Sequence, residues 1–213
     1  FHPALLSVFE RKWQTLPRFQ QTRGTLRLLA HWVSHAYQSG FKSAQGDGLI
    51  GLGTAPLHDS LFRRALWEQL GDDRLDAAIS ADISGRNDSF AVRLDAGAVD
   101  TIKKARLHQK VATAILFESS GGQQQKDASL PEIRLAVGGP DADIGNVESV
   151  LDALQSSCYF LAAEKARYRF TMTPQLNKLL ADRRASIKQD AIDKRVRDEV
   201  QGVFSKQAGI ERV

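Results

Sequence analysis

Residues 101–172 change from a helical to an alternating spacing of apolar side chains, and this change constrains the fold more than any other feature of the chain. Three segments with helical spacing come first, at residues 101–119, 129–138 and 146–155. The second segment begins with Ser129 and Glu132, which have the three-residue separation of a capping box. We therefore expect three consecutive helices in this part of the chain.

Two short runs typical of β-strands follow the third helix, at residues 158–163 and 167–172. Glu164 and Lys165 lie between the runs, as in a β-hairpin. Side chains alternate in the second run, where Tyr168, Phe170 and Met172 share one face and Arg167, Arg169 and Thr171 share the other. Three helices followed by a hairpin is the order of a winged helix, so the sequence predicts a winged-helix domain over residues 101–173.

The remaining segments are also predicted to be helical. Helical spacing or helix-start signals mark residues 3–9, 24–38, 60–70 and 75–83, which gives a helical region over residues 1–100. The second of these helices should end at residues 39–40, and the third should have Asp59 or Ser60 as its cap and Gly71 at its end. A long C-terminal helix is expected over residues 174–213, with Pro174 in its first turn and Thr171 or Thr173 as its cap. The 213 residues, 42% of them hydrophobic, are enough to bury one sizeable core or two small ones. The predicted fold class is therefore mainly α.

Arg23 and Arg27 lie one helical turn apart at the start of the helix predicted over residues 24–38. Leu26, Leu29 and Val33 fall on a different face of that helix. Taken alone, the pair has the spacing of two solvated arginines on an amphipathic helix. A planar, permanently charged guanidinium also suits contact with phosphate oxygens, so both interpretations follow from the residues.

One longer run carries a resemblance to a known family. It reads Leu16-Pro17-x-Phe19-Gln20-x-Thr22-Arg23-Gly24-x-Leu26-Arg27-Leu28-Leu29. This run resembles the sensor 2 helix of AAA+ ATPases. Together with Phe1-His2-Pro3 and with residues 80–85, 167–170 and 174–180, it is similar to a family of large bacterial ATPases of the AAA+ superfamily, whose members lie near DNA-methylation or phage-defence genes.

The resemblance implies a lid-like region over residues 1–100, followed by the winged helix. It implies that Arg23 senses the terminal phosphate of ATP and that Arg27 has a secondary or structural role. It further implies a cytoplasmic ATPase that binds ATP and magnesium, with an upstream P-loop domain in the same chain. The other partners it implies are further subunits of an AAA+ oligomer and non-specific DNA.

The elements that would bind and hydrolyse ATP are missing from the sequence. No Gly-x-x-x-x-Gly-Lys-Ser/Thr loop occurs, and no apolar strand ends in paired acidic residues that would hold magnesium. The glycine-rich residues 51–54 lack a following lysine and favour a turn. The chain also begins at Phe1 without an initiator methionine or a signal peptide, which indicates a piece of a longer protein. We therefore expect no catalytic residue and no ATP hydrolysis by this chain alone.

The net charge of +4 is too small to indicate a polyanion partner, so candidate phosphate contacts are selected by where the basic residues lie. Candidate phosphate contacts lie at the start of the first winged-helix segment and on the hairpin: Lys103, Lys104, Arg106, Arg167 and Arg169. Arginines on an edge strand also serve to block aggregation. The third helix has Glu148 and Asp152 but no lysine or arginine, so phosphate would repel it. A sequence-specific transcription factor is therefore not expected.

Histidine and cysteine residues give no strong metal or catalytic pattern. His31 and His35 are one turn apart, and His2 or His58 would have to complete a metal set in space. The order His-Glu-x-x-His is absent, so structural histidines and no metal are expected. Cys158 has no recognisable Cys/His pattern around it, which favours a buried structural thiol.

Two functions from different classes stay open at this point. The chain is either the lid and winged-helix portion of an AAA+ ATPase, or a stand-alone helical and winged-helix module that binds a protein or, weakly, nucleic acid. A P-loop domain encoded upstream in the same reading frame would separate the two.

Overall fold

A computed structural model describes residues 1–20, 22–42, 47–121, 126–139, 143–187 and 189–206. The helices of the first hundred residues are α1 (Pro3–Arg11), α2 (Arg23–Lys42), α3 (Ser60–Leu70), α4 (Asp76–Ala78) and α5 (Phe90–Gly97). A π-helical turn, Ile79–Ile83, continues α4, and single 3-10 turns lie at Trp13–Thr15 and Leu52–Thr54.

Helices and three short strands alternate in the following part. In chain order they are α6 (Asp100–Ala105), α7 (Leu107–Ser119), β1 (Ala128–Ser129), α8 (Leu130–Val137), α9 (Val147–Ser157), β2 (Leu161–Glu164) and β3 (Arg167–Phe170). The strands form an antiparallel sheet in the order β1-β3-β2, with Ala128 opposite Tyr168 and Leu161 opposite Phe170. The chain ends with α10 (Leu176–Ser186) and α11 (Gln189–Lys206). The fold is thus mainly helical with one small antiparallel sheet, as expected for the fold class.

The chain divides into two compact units after Pro174. The first unit has one hydrophobic core that extends from Leu5 on α1 to Phe170 on β3. Residues before and after position 100 both contribute to this core. In the second unit, α10 and α11 expose apolar side chains such as Leu176 and Val196.

Aromatic rings join the N-terminal helices to α7. Trp13 stacks on Phe117, with ring centroids 5.4 Å apart and planes 4° from parallel, and its Nε1 donates to the Phe117 carbonyl at 3.2 Å. Trp32 on α2 contacts Phe117 and also Phe62 on α3, each at 5.3 Å between centroids. Because Trp13, Trp32, Phe62 and Phe117 are all buried, α7 lies at the centre of the first unit.

A buried lysine at the end of α1 makes a second junction with the same region. Lys12 Nζ lies 2.7 Å from Glu118 Oε2 and 3.1 Å from Glu132 Oε1. It also donates to the carbonyl oxygens of Glu118 at 3.0 Å and Asp127 at 3.2 Å. The lysine side chain is fully buried and loses its hydrating water. Oxygen atoms from the end of α7, the approach to β1 and the first turn of α8 replace that water.

The two glutamates respond differently to this environment. Burial raises the pKa of Glu118, and Lys12 only partly opposes that effect. Burial also acts on Glu132, but hydrogen bonds from the Ser129 backbone and hydroxyl, together with Lys12, hold the pKa of Glu132 below its ordinary value. The same bond from the Ser129 backbone N–H to Glu132, at 2.9 Å, belongs to the capping box that the sequence predicted.

Two buried aspartates hold further segments in place. Asp95 on α5 accepts from the backbone N–H of His108 at 2.9 Å and of Gln109 at 3.1 Å, so it caps α7 from another helix. Asp82 in the π-helical turn accepts from the backbone N–H of Tyr159 at 3.1 Å and of Phe160 at 2.7 Å. Asp82 therefore fixes the chain just before it enters β2.

Several local predictions are confirmed. Helix α3 begins after Asp59, whose side chain accepts from Leu61 N, and it ends at Gly71 in a left-handed conformation. Helix α9 matches the third predicted segment, and the predicted hairpin forms with its turn at Lys165 and Ala166, both with positive φ.

The prediction of a single helix over residues 101–119 is wrong. Arg106 adopts a left-handed conformation, with φ 51°, and separates α6 from α7. The break is stabilised because Asp95 caps the first turn of α7 from a neighbouring helix. The helices predicted from the sequence also do not include α5, on which Asp95 lies.

The prediction of a single long C-terminal helix is also wrong. Ile187 is extended, with ψ 121°, so α10 ends before it and α11 begins at Gln189; Lys188 lies outside the described residues. Gln175 precedes α10 in place of the predicted threonine cap. Thr171 instead donates through its hydroxyl to the carbonyl oxygens of Phe160 and Thr173. Helix α2 runs to Lys42 and does not end at residues 39–40.

The buried ammonium leads to a stability prediction. Lys12→Met leaves Glu118 as a buried, unpaired carboxylate, and we expect a loss of about 3–5 kcal/mol in the free energy of unfolding, measured by urea denaturation. Lys12→Met/Glu118→Gln removes that charge and should recover part of the loss. Without Lys12, protonation of Glu118 removes the cost of burying its charge. The loss in the free energy of unfolding should therefore become smaller as the pH falls from about 8 to about 5. An equal deficit at both pH values, with no recovery in the double variant, would contradict this role of Lys12.

Candidate functional site

The start of α2 places Arg23 at the surface. Arg23 is the first residue of the helix and is exposed, and no residue in the described part of the chain forms an ion pair or a hydrogen bond with its side chain. The backbone at Gly24 lies directly against Gln69 of α3, where an added Cβ would come 2.0 Å from Gln69 Oε1. The same oxygen accepts from the backbone N–H of Gln20 at 3.0 Å. These contacts fix the helix start, while the Arg23 guanidinium is not engaged by any side chain that the structure describes.

Arg27 is engaged in a different way. Its guanidinium lies 2.6 Å from Glu68 on α3, and the two side chains are 55% and 45% exposed. Exposed ion pairs contribute little to stability, but this one ties α2 to α3 one turn after Arg23. The two arginines of the predicted pair therefore have different environments.

A shallow groove of about 530 Å³ runs beside Glu68 on α3. Three guanidinium groups line it, those of Arg18, Arg63 and Arg64, and acidic residues lie among them. Arg63 is held in place by Asp76 at 3.2 Å and by the Ser80 hydroxyl at 3.0 Å. No sequence pattern marks these arginines, because an arginine in a turn, such as Arg18, or on a helix, such as Arg63 and Arg64, gives no signal of a groove.

Residues 51–54 form a packed turn and not an open phosphate loop. The Thr54 hydroxyl accepts from Gly51 N at 3.2 Å and from Trp32 Nε1 at 3.3 Å, and it donates to the Gly51 carbonyl at 2.9 Å. Gly53 lies on the backbone of α7, where an added Cβ would come 2.8 Å from Lys110 Cβ and 3.1 Å from Lys110 Cα. The glycine is needed here for close approach, in agreement with the turn that the sequence predicts.

The candidate phosphate contacts lie on separate elements. Lys103 and Lys104 are exposed on α6. Arg106 lies 3.5 Å from Asp47, and Lys110 also forms an ion pair with that carboxylate. The charge of Arg106 is therefore partly neutralised.

The hairpin forms the other basic surface. Arg167 and Arg169 lie exposed on β3 and line a groove of about 540 Å³ together with Lys165. Asp127 and Glu164 line the same groove, and Arg169 pairs with Asp127 at 3.3 Å. The surface therefore has three cations against two carboxylates.

Helix α9 has the opposite character. Glu148 is exposed and lies 2.8 Å from Arg134, and Asp152 is exposed as well. Burial raises the pKa of Tyr168 on β3, and the charges of Asp152 and Glu148 raise it further. The acidic side chains of α9 thus lie close enough to act on Tyr168 of the hairpin.

The five histidines lie in four environments. His108 is buried on α7, where its Nδ1 lies 2.9 Å from Asp95 Oδ1. His2 caps α1 by accepting from Ala4 N at 3.2 Å, and His31 is half-buried on α2. His35 Nε2 lies 3.0 Å from His58 Nε2, and burial and the neighbouring His58 lower the pKa of His35. Within the described ranges, no group of three or more histidine, cysteine or acidic side chains is arranged to hold a metal ion.

Comparisons with models of known protein families, with curated proteins and with solved structures gave no match. A search of the described residues for a helix long and apolar enough to cross a bilayer found none.

The packed glycine gives a prediction with an internal control. Gly53→Ala forces a methyl group onto the α7 backbone at Lys110, and we expect a loss of about 1–3 kcal/mol in the free energy of unfolding. Gly40→Ala, in α2, meets no atom within 4 Å and should stabilise the protein by about 0.5–1 kcal/mol through helix propensity. Chemical denaturation measures both. Equal effects of the two variants would mean that residues 51–54 do not pack closely on α7.

Proposed function

We propose that this chain is the non-catalytic lid and winged-helix portion of an AAA+ P-loop ATPase, in which Arg23 senses the nucleotide. The observation that carries the proposal is the exposed Arg23 guanidinium, which has no partner among the described residues, on a helix start that Gly24 and Gln69 hold in place. An arginine that contacts a transferred phosphoryl group must be free of other partners and must start from a fixed backbone position, because reorganisation during the reaction costs free energy.

The different roles of Arg23 and Arg27 are supported by the ion pair of Arg27. Glu68 already occupies the Arg27 guanidinium, which suits a structural role. Arg23 carries the permanent charge and planar donor geometry that can follow charge on phosphate oxygens. ATP and magnesium would be held by the P-loop domain, since the chain has no phosphate loop of its own.

The winged-helix assignment is supported by the order α7-β1-α8-α9-β2-β3 and by the strand order β1-β3-β2. In such domains the third helix commonly enters the major groove of DNA, but α9 carries Glu148 and Asp152. A protein partner, or non-specific contact through the hairpin, fits these charges better than base reading.

Coupling between the two regions is supported by the shared core. Trp32 on the Arg23-bearing helix contacts Phe117 on α7, the first helix of the proposed winged helix. A change that nucleotide imposes on α2 would therefore be felt at α7 through packed rings. We propose that this contact transmits the nucleotide state to whatever the winged helix binds.

The sensing role is tested in the protein that contains the P-loop domain. Arg23→Ala should lower the ATP turnover number by about a hundredfold, because a charge that stabilises the transferring phosphoryl group is lost. Arg27→Ala is the matched control: it removes an exposed ion pair and should have the milder effect on turnover. Unchanged turnover in Arg23→Ala would rule out the sensing role.

The chain alone provides a second control for that experiment. We expect it to show no ATP hydrolysis and no micromolar affinity in a calorimetric titration with ATP and magnesium, since an isolated arginine cannot complete a phosphate site. Micromolar binding would mean that this chain contains a complete nucleotide site. It would contradict the proposal that the P-loop domain holds ATP and this chain supplies only the sensing arginine.

A second candidate function, weak binding of nucleic acid, is favoured by the three cations at the hairpin groove. We expect binding to duplex DNA at about 50 mM salt that fades toward about 200 mM, with a salt slope near the small number of phosphate contacts. Arg167→Ala/Arg169→Ala should weaken binding equally for unrelated sequences, as measured by fluorescence anisotropy. Glu148→Gln/Asp152→Asn is the matched pair on α9 and should not change sequence preference. Tight binding at physiological salt, with a preference that changes in the α9 variant, would make α9 a base reader.

A further inference from the structure

His35 and His58 bring two imidazole nitrogens to one point between α2 and the turn before α3. Their Nε2 atoms are 3.0 Å apart, and the rings meet at 68° with centroids 4.7 Å apart. His35 is half-buried on the helix, whereas His58 is exposed next to the Asp59 cap of α3. The pair is therefore accessible from solvent and joins two elements that are separate in the sequence.

The distance between the nitrogens suits a shared ion. Zinc binds histidine nitrogen at about 2.0–2.1 Å, so a single ion can lie at bonding distance from both Nε2 atoms. A tetrahedral angle at the ion would need the nitrogens at about 3.3 Å, which a small opening of the pair supplies. If one ring carries its proton on Nε2, the two rings form an N–H···N hydrogen bond. If both rings carry the proton on Nδ1, the two Nε2 lone pairs face the same space and repel, and a metal ion between them removes that repulsion.

A neighbouring hydroxyl supports the tautomer that a metal requires. Ser39 Oγ lies 3.4 Å from His35 Nδ1, one helical turn along α2. If Ser39 accepts the Nδ1 proton, the lone pair of His35 is left on Nε2, facing His58. Metal-binding histidines commonly use the second ring nitrogen in this way.

We propose that His35 and His58 bind one divalent transition-metal ion of the class that prefers imidazole, such as Zn²⁺, with water in its remaining positions. Imidazole ligands favour zinc, copper and nickel over magnesium and calcium. The ion links α2 to the start of α3, the two helices that the Arg27–Glu68 pair also joins. This site is independent of the proposed ATPase function, since it uses neither Arg23 nor the hairpin.

The test uses the tag-free chain and calorimetric titration with ZnCl₂ at neutral pH. We expect one Zn²⁺ per chain and an increase in melting temperature on saturation, because the ion binds the folded state. Replacing either ligand, as His35→Gln or His58→Gln, should weaken binding by at least about tenfold and abolish the increase. His31→Gln, one turn earlier on α2, is the matched control and should bind like the original chain, and MgCl₂ should not bind to this site.

Several outcomes would overturn the site. Zinc affinity and the melting-temperature shift could be unchanged in both His35→Gln and His58→Gln, which would mean that the two histidines only share a proton. His31→Gln could lose binding as strongly as the two proposed ligand variants. Sedimentation could show that zinc joins two chains, which would make exposed His58 a ligand between copies. Co²⁺ as a spectroscopic probe adds an independent readout, since visible bands that disappear in His35→Gln and His58→Gln support direct coordination.

Discussion

A single buried ammonium group sets the relation between the N-terminal helices and the rest of the first unit. Lys12 is removed from water, so its charge must be met by protein groups, and those groups come from the end of α7, the approach to β1 and the first turn of α8. Trp13 and Trp32 then pack on Phe117 of the same central helix. Residues on both sides of position 100 thus share one core, and α2 is held within it.

Local signals in the sequence were sufficient for much of this fold. The Asp59 cap, the Ser129–Glu132 capping box and the alternation in the hairpin each depend on residues a few positions apart, and each was confirmed. The wrong predictions fall where groups distant in the sequence determine the local structure. A lysine at the end of an amphipathic helix reads as solvated, and the break at Arg106 depends on Asp95 from a helix that the pattern did not reveal.

The candidate site divides in the same way. Spacing alone located Arg23 and Arg27, but it gave them one face and similar environments. The family resemblance implied different roles for them, but their different environments come from tertiary contacts, because Glu68 pairs with Arg27 and Gln69 packs on Gly24. The histidines behave likewise: helical spacing paired His31 with His35, whereas packing of α2 beside α3 pairs His35 with His58. Sequence patterns therefore showed which helices carry the arginine and histidine side chains, and tertiary packing determines which residues those side chains contact.

One cooperative core, with α2 as part of it, is the claim on which the proposed coupling rests. Native-state hydrogen exchange at increasing denaturant measures it directly, because it gives an opening free energy for each helix. A shared core predicts that protected amides of α1, α2 and α7 open with one free energy and that Lys12→Met lowers all three together. Opening of α1 and α2 at a lower free energy than α7, with α7 unaffected by Lys12→Met, would contradict it.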